Sequence, residues 1–150
     1  MKNISVLILL FFSVTFSFGQ IKVTDVGDGW KNKVDSAISI IKKYDREKYD
    51  VLIETCQIIG YWNGGFSTTE GDTMITIAVN DIKNENIYNI AAILVHESMH
   101  LYIKQLYYKL DPRKEELLCY TYELNFLTKI PEVDQWLIQN ALKMIEYYKN

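Results

Sequence analysis

Apolar residues recur at helical spacing in the first long patterned segment of the chain. Between Trp30 and Lys43, the residues Val34, Ala37, Ile38 and Ile41 fall on one face of a helix, while lysine and aspartate occupy the opposite face. This pattern predicts an amphipathic helix whose apolar face is directed at the core.

The flanking segments are shorter and mix strand and loop signals. Gln20 to Gly29 is irregular or weakly extended, and the polar run from Asp45 to Tyr49 predicts the end of the first helix. Val51 to Trp62 is rich in β-branched residues and favours a strand, although a second helix would also bury this pattern. Three glycines predict a loop over Tyr61 to Asp72. From Met74 to Val79, the β-branched apolar residues Ile75, Ile77 and Val79 alternate with Met74, Thr76 and Ala78. This alternation predicts a half-buried strand over Met74 to Val79.

The longest predicted helix runs from about Ile87 to Tyr108, with Asn84 or Asn86 as its N-cap. Its first half, Ile87 to Val95, is apolar nearly all round and is therefore expected deep in the core. Three ionisable residues follow this apolar run: His96, Glu97 and His100. Such side chains are costly to bury without partners, and a metal ion would supply one.

Two further helices are predicted after a break at Asp111. Pro112 suits the first position of a helix that continues to about Lys129, and Pro131 suits the start of the last one. The resulting order is helix, strand, loop, strand and three helices, which predicts one small α+β domain over residues 20–150.

The first nineteen residues have the organisation of a signal peptide. Lys2 supplies the positive charge, Val6 to Phe12 form the apolar region, and Ser17-Phe18-Gly19 places small residues before a cleavage site at Gln20. Residues 1–19 are therefore expected to be removed, leaving an exported protein that is periplasmic or secreted. No later stretch is long and apolar enough for a stable membrane anchor.

Cys56 and Cys119 are the only cysteines of the chain. An oxidising compartment permits a disulfide between them, and we predict this bridge. The alternative is a pair of buried thiols that pack as small apolar groups.

The formal net charge of −3 is spread along the chain without a basic patch, so the composition gives no indication of nucleic-acid binding.

The motif His96-Glu97-Ser98-Met99-His100 carries the most specific chemistry. Four positions turn a helix by about 400°, so the two histidines stack on one face, one turn apart. Their nitrogens can reach one zinc ion, and Glu97 is close enough to take a proton from a metal-bound water. The chain has two histidines, and both are in this motif.

A catalytic zinc usually has three protein ligands and a water. Since no third histidine exists, the third ligand must be a carboxylate or Cys119. The helix after Pro112 carries Glu115, Glu116 and Glu123, and an antiparallel return would bring one of them opposite His100.

The segment Leu94 to His100, followed by Glu115 to Glu123, resembles the gluzincin arrangement, in which a glutamate on the next helix completes an HExxH site. Over about residues 72–130 the chain more narrowly resembles small bacterial HExxH proteins, in which an LVHE helix precedes a Glu-x-x-Cys or Glu-x-x-Ala pattern. This resemblance implies a small zincin-like (minimal gluzincin) α+β domain with an active-site helix, a short β-sheet and following α-helices.

The resemblance also implies a role for each motif residue. His96 and His100 correspond to metal ligands, Glu97 to the general base and Glu116 to the third ligand. Glu116 follows His100 by sixteen positions, a shorter separation than in the large thermolysin-like enzymes, so Glu115 remains a competitor. We expect Glu123 to support the ligands or to lie at the surface.

Aromatic residues supply the remaining candidates. Larger families carry a separate histidine or tyrosine that stabilises the transition state, and Tyr120 is the nearest equivalent here, although packing or a supporting hydrogen bond is the favoured role. Tyr61, Trp62 and Phe66 lie near the glycines and are candidates for a cleft lining, although a plain aromatic-anchored loop is favoured.

These observations predict an exported zinc-dependent peptidase that acts on a peptide or protein substrate. Two alternatives stay open: a catalytically inactive zinc-binding module for interaction or inhibition, and a hydrolase of a non-peptide amide. A strand at Met74 to Val79, if it formed a sheet edge beside the cleft, would hold an extended peptide by strand addition.

Overall fold

A computed structural model describes residues 20–24, 27, 29–83, 86–106 and 109–150. The predicted signal peptide, residues 1–19, lies outside these described residues. Within them, no helix has the length and apolar character needed to cross a membrane.

Four strands form one small sheet. They are β1 (Lys22–Val23), β2 (Ile58–Trp62), β3 (Thr68–Glu70) and β4 (Met74–Ala78). The spatial order is β1-β2-β4-β3. β1 and β4 both pair with β2 in parallel, whereas β3 pairs with β4 antiparallel. The sheet is therefore parallel except at one edge, where β3 reverses direction.

The strand predicted around Met74 exists but is neither half-buried nor an edge. β4 lies between β2 and β3, and its residues from Ile75 to Ala78 are all buried. The edge next to β4 is formed by β3, within a segment predicted to be a loop. Its pairing with β4 lets the Thr76 hydroxyl donate to the carbonyl of Thr68, so this short polar strand is stabilised mainly by tertiary contacts.

Six helices complete an α+β architecture. They are α1 (Trp30–Tyr44), α2 (Arg46–Thr55), α3 (Val79–Lys83), α4 (Ile87–Gln105), α5 (Pro112–Leu127) and α6 (Gln135–Lys149).

The junction of α1 and α2 corrects one prediction. The polar run after Asp45 starts a helix instead of a loop, because Asp45 is extended for one residue and its side chain accepts from the Lys48 amide. The ambiguous segment from Val51 to Trp62 contains both predicted structures, with the end of α2 first and β2 after it.

α4 is the central helix. The Asn86 side chain accepts from the amides of Tyr88 and Asn89, which confirms one of the two predicted N-caps. Ile90 and Leu94 are fully buried, as expected for the apolar first half. The helix is buried because α1, α2, β4 and α5 all pack against it.

α5 begins as predicted, with Pro112 in its first turn and the Asp111 side chain accepting from two backbone amides. α6 begins at Gln135, four residues later than predicted from Pro131. α5 packs against both α4 and α6, and this packing brings its acidic residues next to the histidines.

The predicted disulfide is wrong in this structure. Cys56 and Cys119 are both buried free thiols. The Cys56 thiol lies 3.3 Å from the carbonyl oxygen of Ile58 at the start of β2, whereas Cys119 lies on α5 beside the two histidines. The fold therefore places the two sulfur atoms in different environments.

Candidate metal centre

His96 and His100 lie on the side of α4 that contacts α5. His96 is 8% exposed and Glu97 is 7% exposed, so neither side chain is freely solvated. Ionisable groups at such positions require partners. For the histidines, α5 supplies three carboxylates.

The Nε2 atoms of His96 and His100 are 3.3 Å apart. Glu116 lies against both, with Oε2 3.5 Å from Nε2 of His96 and Oε1 3.6 Å from Nε2 of His100. Ligand atoms about 2.0–2.1 Å from a tetrahedral zinc are separated from one another by about 3.3 Å. The three side chains therefore present ligand atoms at separations close to those that a zinc ion requires.

The other ring nitrogens have their own carboxylate partners. Nδ1 of His96 lies 3.0 Å from Oε2 of Glu123, and Nδ1 of His100 lies 2.6 Å from Oε1 of Glu115. A carboxylate at Nδ1 favours the tautomer with its proton there, which leaves Nε2 free to bind a metal. Glu115 and Glu123 thus orient the histidines, and the geometry favours Glu116 over Glu115 as the third ligand.

Cys119 is the competing ligand that the sequence also left open. Its sulfur and a ring nitrogen from each histidine lie within 4.8 Å of one another. We favour Glu116 because its oxygens approach both Nε2 atoms and because it lines the open cleft, whereas Cys119 is fully buried. Burial also raises the pKa of the Cys119 thiol, which disfavours the thiolate.

The ionisation of the site follows from burial and these close pairs. Burial disfavours the charged form of His96, but contacts with Glu116 and Glu123 outweigh it and raise the pKa of His96 to about 9. The same contact with His96 lowers the pKa of Glu116. Burial raises the pKa of Glu97, against the lowering effect of the two histidines.

A cleft of about 410 Å³ opens over this cluster. One wall is formed by α4 and α5, and β3 with the residues before it forms another. Glu97 and Glu116 both line the cleft, so the proposed base and the third ligand face the same space. A volume of this size suits a small ligand or a short peptide segment.

Aromatic residues border the cleft on the α5 side. Tyr120 packs its ring edge against His96, with centroids 4.4 Å apart, and Tyr148 stacks on Tyr120 at 5.8 Å. The packing role expected for Tyr120 is therefore present. Sequence reasoning missed Tyr148, because no spacing rule connects the end of α6 with the motif.

The aromatic residues near the glycines separate into two groups. Phe66 lines the cleft and is 69% exposed. Trp62 supports it by donating from Nε1 to the Phe66 carbonyl, while Tyr61 packs against Trp30 away from the site. Of these three residues, only Phe66 is at the candidate site.

Comparisons with family models, with curated proteins and with solved structures found no match to this chain.

Proposed function

We propose that the protein is an exported zinc-dependent peptidase with a zincin-like domain of the minimal gluzincin type. One observation carries this proposal: Nε2 of His96, Nε2 of His100 and the Glu116 carboxylate meet at zinc-compatible separations beside Glu97 in an open cleft. His96, His100 and Glu116 would hold the ion.

Zinc held by these three residues would supply a Lewis acid that polarises the scissile carbonyl and increases the acidity of water. Glu97 then acts as the general base, accepting a proton from the attacking water and donating it to the departing amine. Burial raises the pKa of Glu97, which makes its carboxylate a better proton acceptor than an exposed glutamate.

The edge strand β3 suits the binding of an extended substrate. Its inner edge pairs with β4, and no strand of the described residues pairs with its outer edge. Thr68 and Thr69 line the cleft, so the free backbone groups lie beside the metal-binding cluster. A peptide could therefore add to the sheet as a further strand, which fixes its backbone without selecting a sequence.

The competing function is a zinc-binding module without peptidase activity. Cys119 favours it, because a fourth protein ligand would close the coordination shell, as in structural zinc sites. Cys119 does not line the cleft, and this supports a site with three protein ligands and an open fourth position.

Glu97→Gln tests the proposal. Glutamine keeps the size of the side chain but cannot accept the proton, so hydrolysis should fall about 10²- to 10⁴-fold while zinc content and fold stay unchanged. Purified protein would be loaded with zinc, incubated with a mixed peptide library and examined by mass spectrometry. Zinc-loaded wild-type protein that leaves all peptides intact would contradict the peptidase assignment, and cleavage of cell-wall-type amides by the same protein would favour the non-peptide alternative.

A further inference from the structure

Lys104 lies in the cleft, one helical turn beyond His100 on the same face of α4. It is the one lysine or arginine among the described residues that line this space. The other ionisable side chains of the lining, apart from tyrosines, are the histidines and glutamates of the metal cluster. The Lys104 ammonium is therefore a positive charge outside that cluster.

The ammonium of Lys104 has a neutral partner. Nζ donates to the Thr69 hydroxyl at 2.5 Å, and no ion pair with a carboxylate of the described residues involves it. A lysine ammonium has three donors, so two remain for a ligand. By contrast, Glu115 and Glu116 are directed at the histidines.

The same hydrogen bond joins two parts of the cleft lining. Lys104 belongs to α4 and Thr69 to the edge strand β3, two elements that contact each other. The ammonium is therefore held beside the strand along which a substrate would lie.

The distance from the metal cluster to Lys104 indicates which part of a bound substrate the ammonium can reach. Four helical positions from His100 to Lys104 correspond to about 6 Å along the axis. An extended peptide advances about 3.4 Å per residue, so about two residues span this distance.

We infer that Lys104 forms a subsite for a substrate carboxylate that lies about two residues from the scissile bond. This inference rests on the proposed peptidase function and specifies its substrate class. If the carboxylate is a free C-terminus, the enzyme would remove one or two residues from the end of a peptide. An acidic side chain is the other source of a carboxylate, and the experiment distinguishes the two.

Binding can be measured without turnover in zinc-loaded Glu97→Gln protein. One pair of probes is N-acetyl-tetra-alanine with a free C-terminal carboxylate and the same peptide with a C-terminal amide. A second pair has both ends blocked and carries either an internal glutamate or an internal glutamine. We expect the free acid of the first pair to bind about tenfold more tightly than its amide, as for one charge-assisted hydrogen bond.

Lys104→Met in the same background should bring the acid-to-amide ratio close to one, and Lys104→Arg should restore most of it. Lys143→Met, which removes an exposed charge on α6, is the matched control and should leave the ratio unchanged. A purely structural role of the Lys104–Thr69 bridge would weaken both members of a pair equally.

The outcomes separate the two proposals. A preference for the glutamate probe that Lys104→Met abolishes would support the carboxylate subsite and assign it to a side chain. Equal binding of acid and amide, or a preference that survives Lys104→Met, would overturn the inference while leaving the peptidase proposal intact. Failure of the wild-type protein to bind zinc or to cleave any peptide would instead contradict the proposed function.

Discussion

Nδ1 of His96 lies 3.0 Å from a carboxylate oxygen of Glu123, a residue 27 positions later in the chain. This contact joins α4 to α5 at a buried point, since Glu123 is 7% exposed. Because it occupies Nδ1, it directs Nε2 of His96 toward His100 and Glu116. The orientation of a candidate ligand thus depends on a residue outside the HExxH motif.

The zinc affinities of Glu→Gln variants should distinguish the carboxylate that binds the metal from those that orient the ligating histidines. We expect Glu116→Gln to lose most zinc binding, whereas Glu115→Gln and Glu123→Gln should each weaken it about 10- to 100-fold, the usual cost of removing a partner of a ligating histidine. Competition with a fluorescent zinc chelator measures these affinities. Glu132→Gln, at an exposed position, is the control. If Glu115→Gln abolishes binding while Glu116→Gln does not, the roles of the two residues are reversed.

Cobalt substitution should distinguish Glu116 from Cys119 as the third ligand. A cobalt–thiolate bond gives an intense near-ultraviolet charge-transfer band, and we expect none in the wild-type protein because the Glu116 carboxylate, and not the buried Cys119 thiol, lies against both Nε2 atoms in the cleft. Cys119→Ala should accordingly keep one zinc per chain. A charge-transfer band that disappears in Cys119→Ala would identify a thiolate ligand and favour the non-catalytic module.

The charge of His96 predicts a pH dependence for the metal-free protein. Its pKa is raised to about 9 in the folded state, from an ordinary value of about 6.5. The stabilisation is therefore complete below about pH 6.5 and is lost as the pH rises through 9. Thermal unfolding with chelator present should show a falling melting temperature over this interval.

Zinc must displace the same proton, so its affinity should increase over that interval and binding should release a proton at neutral pH. Calorimetry in buffers of different ionisation enthalpy counts the protons released. A melting temperature and a zinc affinity that are both independent of pH from 6.5 to 9 would contradict the assignment of charge to His96.

A second buried charge cluster should contribute to stability away from the cleft. The Asp45 carboxylate lies 3.2 Å from Nζ of Lys48 and 2.7 Å from Nζ of Lys129, and the side chains of Asp45 and Lys48 are 2% and 4% exposed. Asp45→Asn keeps a capping side chain but leaves the buried Lys48 ammonium with neutral partners alone, the Asn125 amide oxygen and the Tyr122 ring. We expect a loss of about 3 kcal/mol in the free energy of unfolding, measured by urea denaturation.

Lys129→Met is the comparison for that variant. The Lys129 side chain is 41% exposed, so its ion pair with Asp45 is partly screened by solvent, and we expect a cost of less than about 1 kcal/mol. Equal losses in the free energy of unfolding would show that the buried Asp45–Lys48 pair stabilises the fold no more than the partly exposed Asp45–Lys129 pair.

The sequence by itself determined the features that depend on spacing within one element. The periodicity of α1, the cap at Asn86 and Pro112 in the first turn of α5 follow from local rules and are found in the structure. The stacking of His96 and His100 on one face also follows, because four helical positions always make one turn.

The short polar strand β3 was not predicted, because its conformation depends on contacts outside its own segment. β3 has only three residues, Thr68 to Glu70, and depends on pairing with β4 for its conformation. A segment stabilised by tertiary contacts gives little periodic signal of its own, so its glycine-rich flanks predicted a loop.

Only the tertiary structure decided which carboxylate faces which nitrogen. Glu115 and Glu116 are adjacent and differ by about 100° around the helix, so their roles depend on how α5 is rotated and placed against α4. The packing of many apolar side chains sets that rotation, and no spacing within either helix encodes it. The meeting of Lys104 with Thr69 depends in the same way on the position of β3 beside α4. Periodicity fixes positions within an element, whereas relations between elements follow from the packing of the whole core.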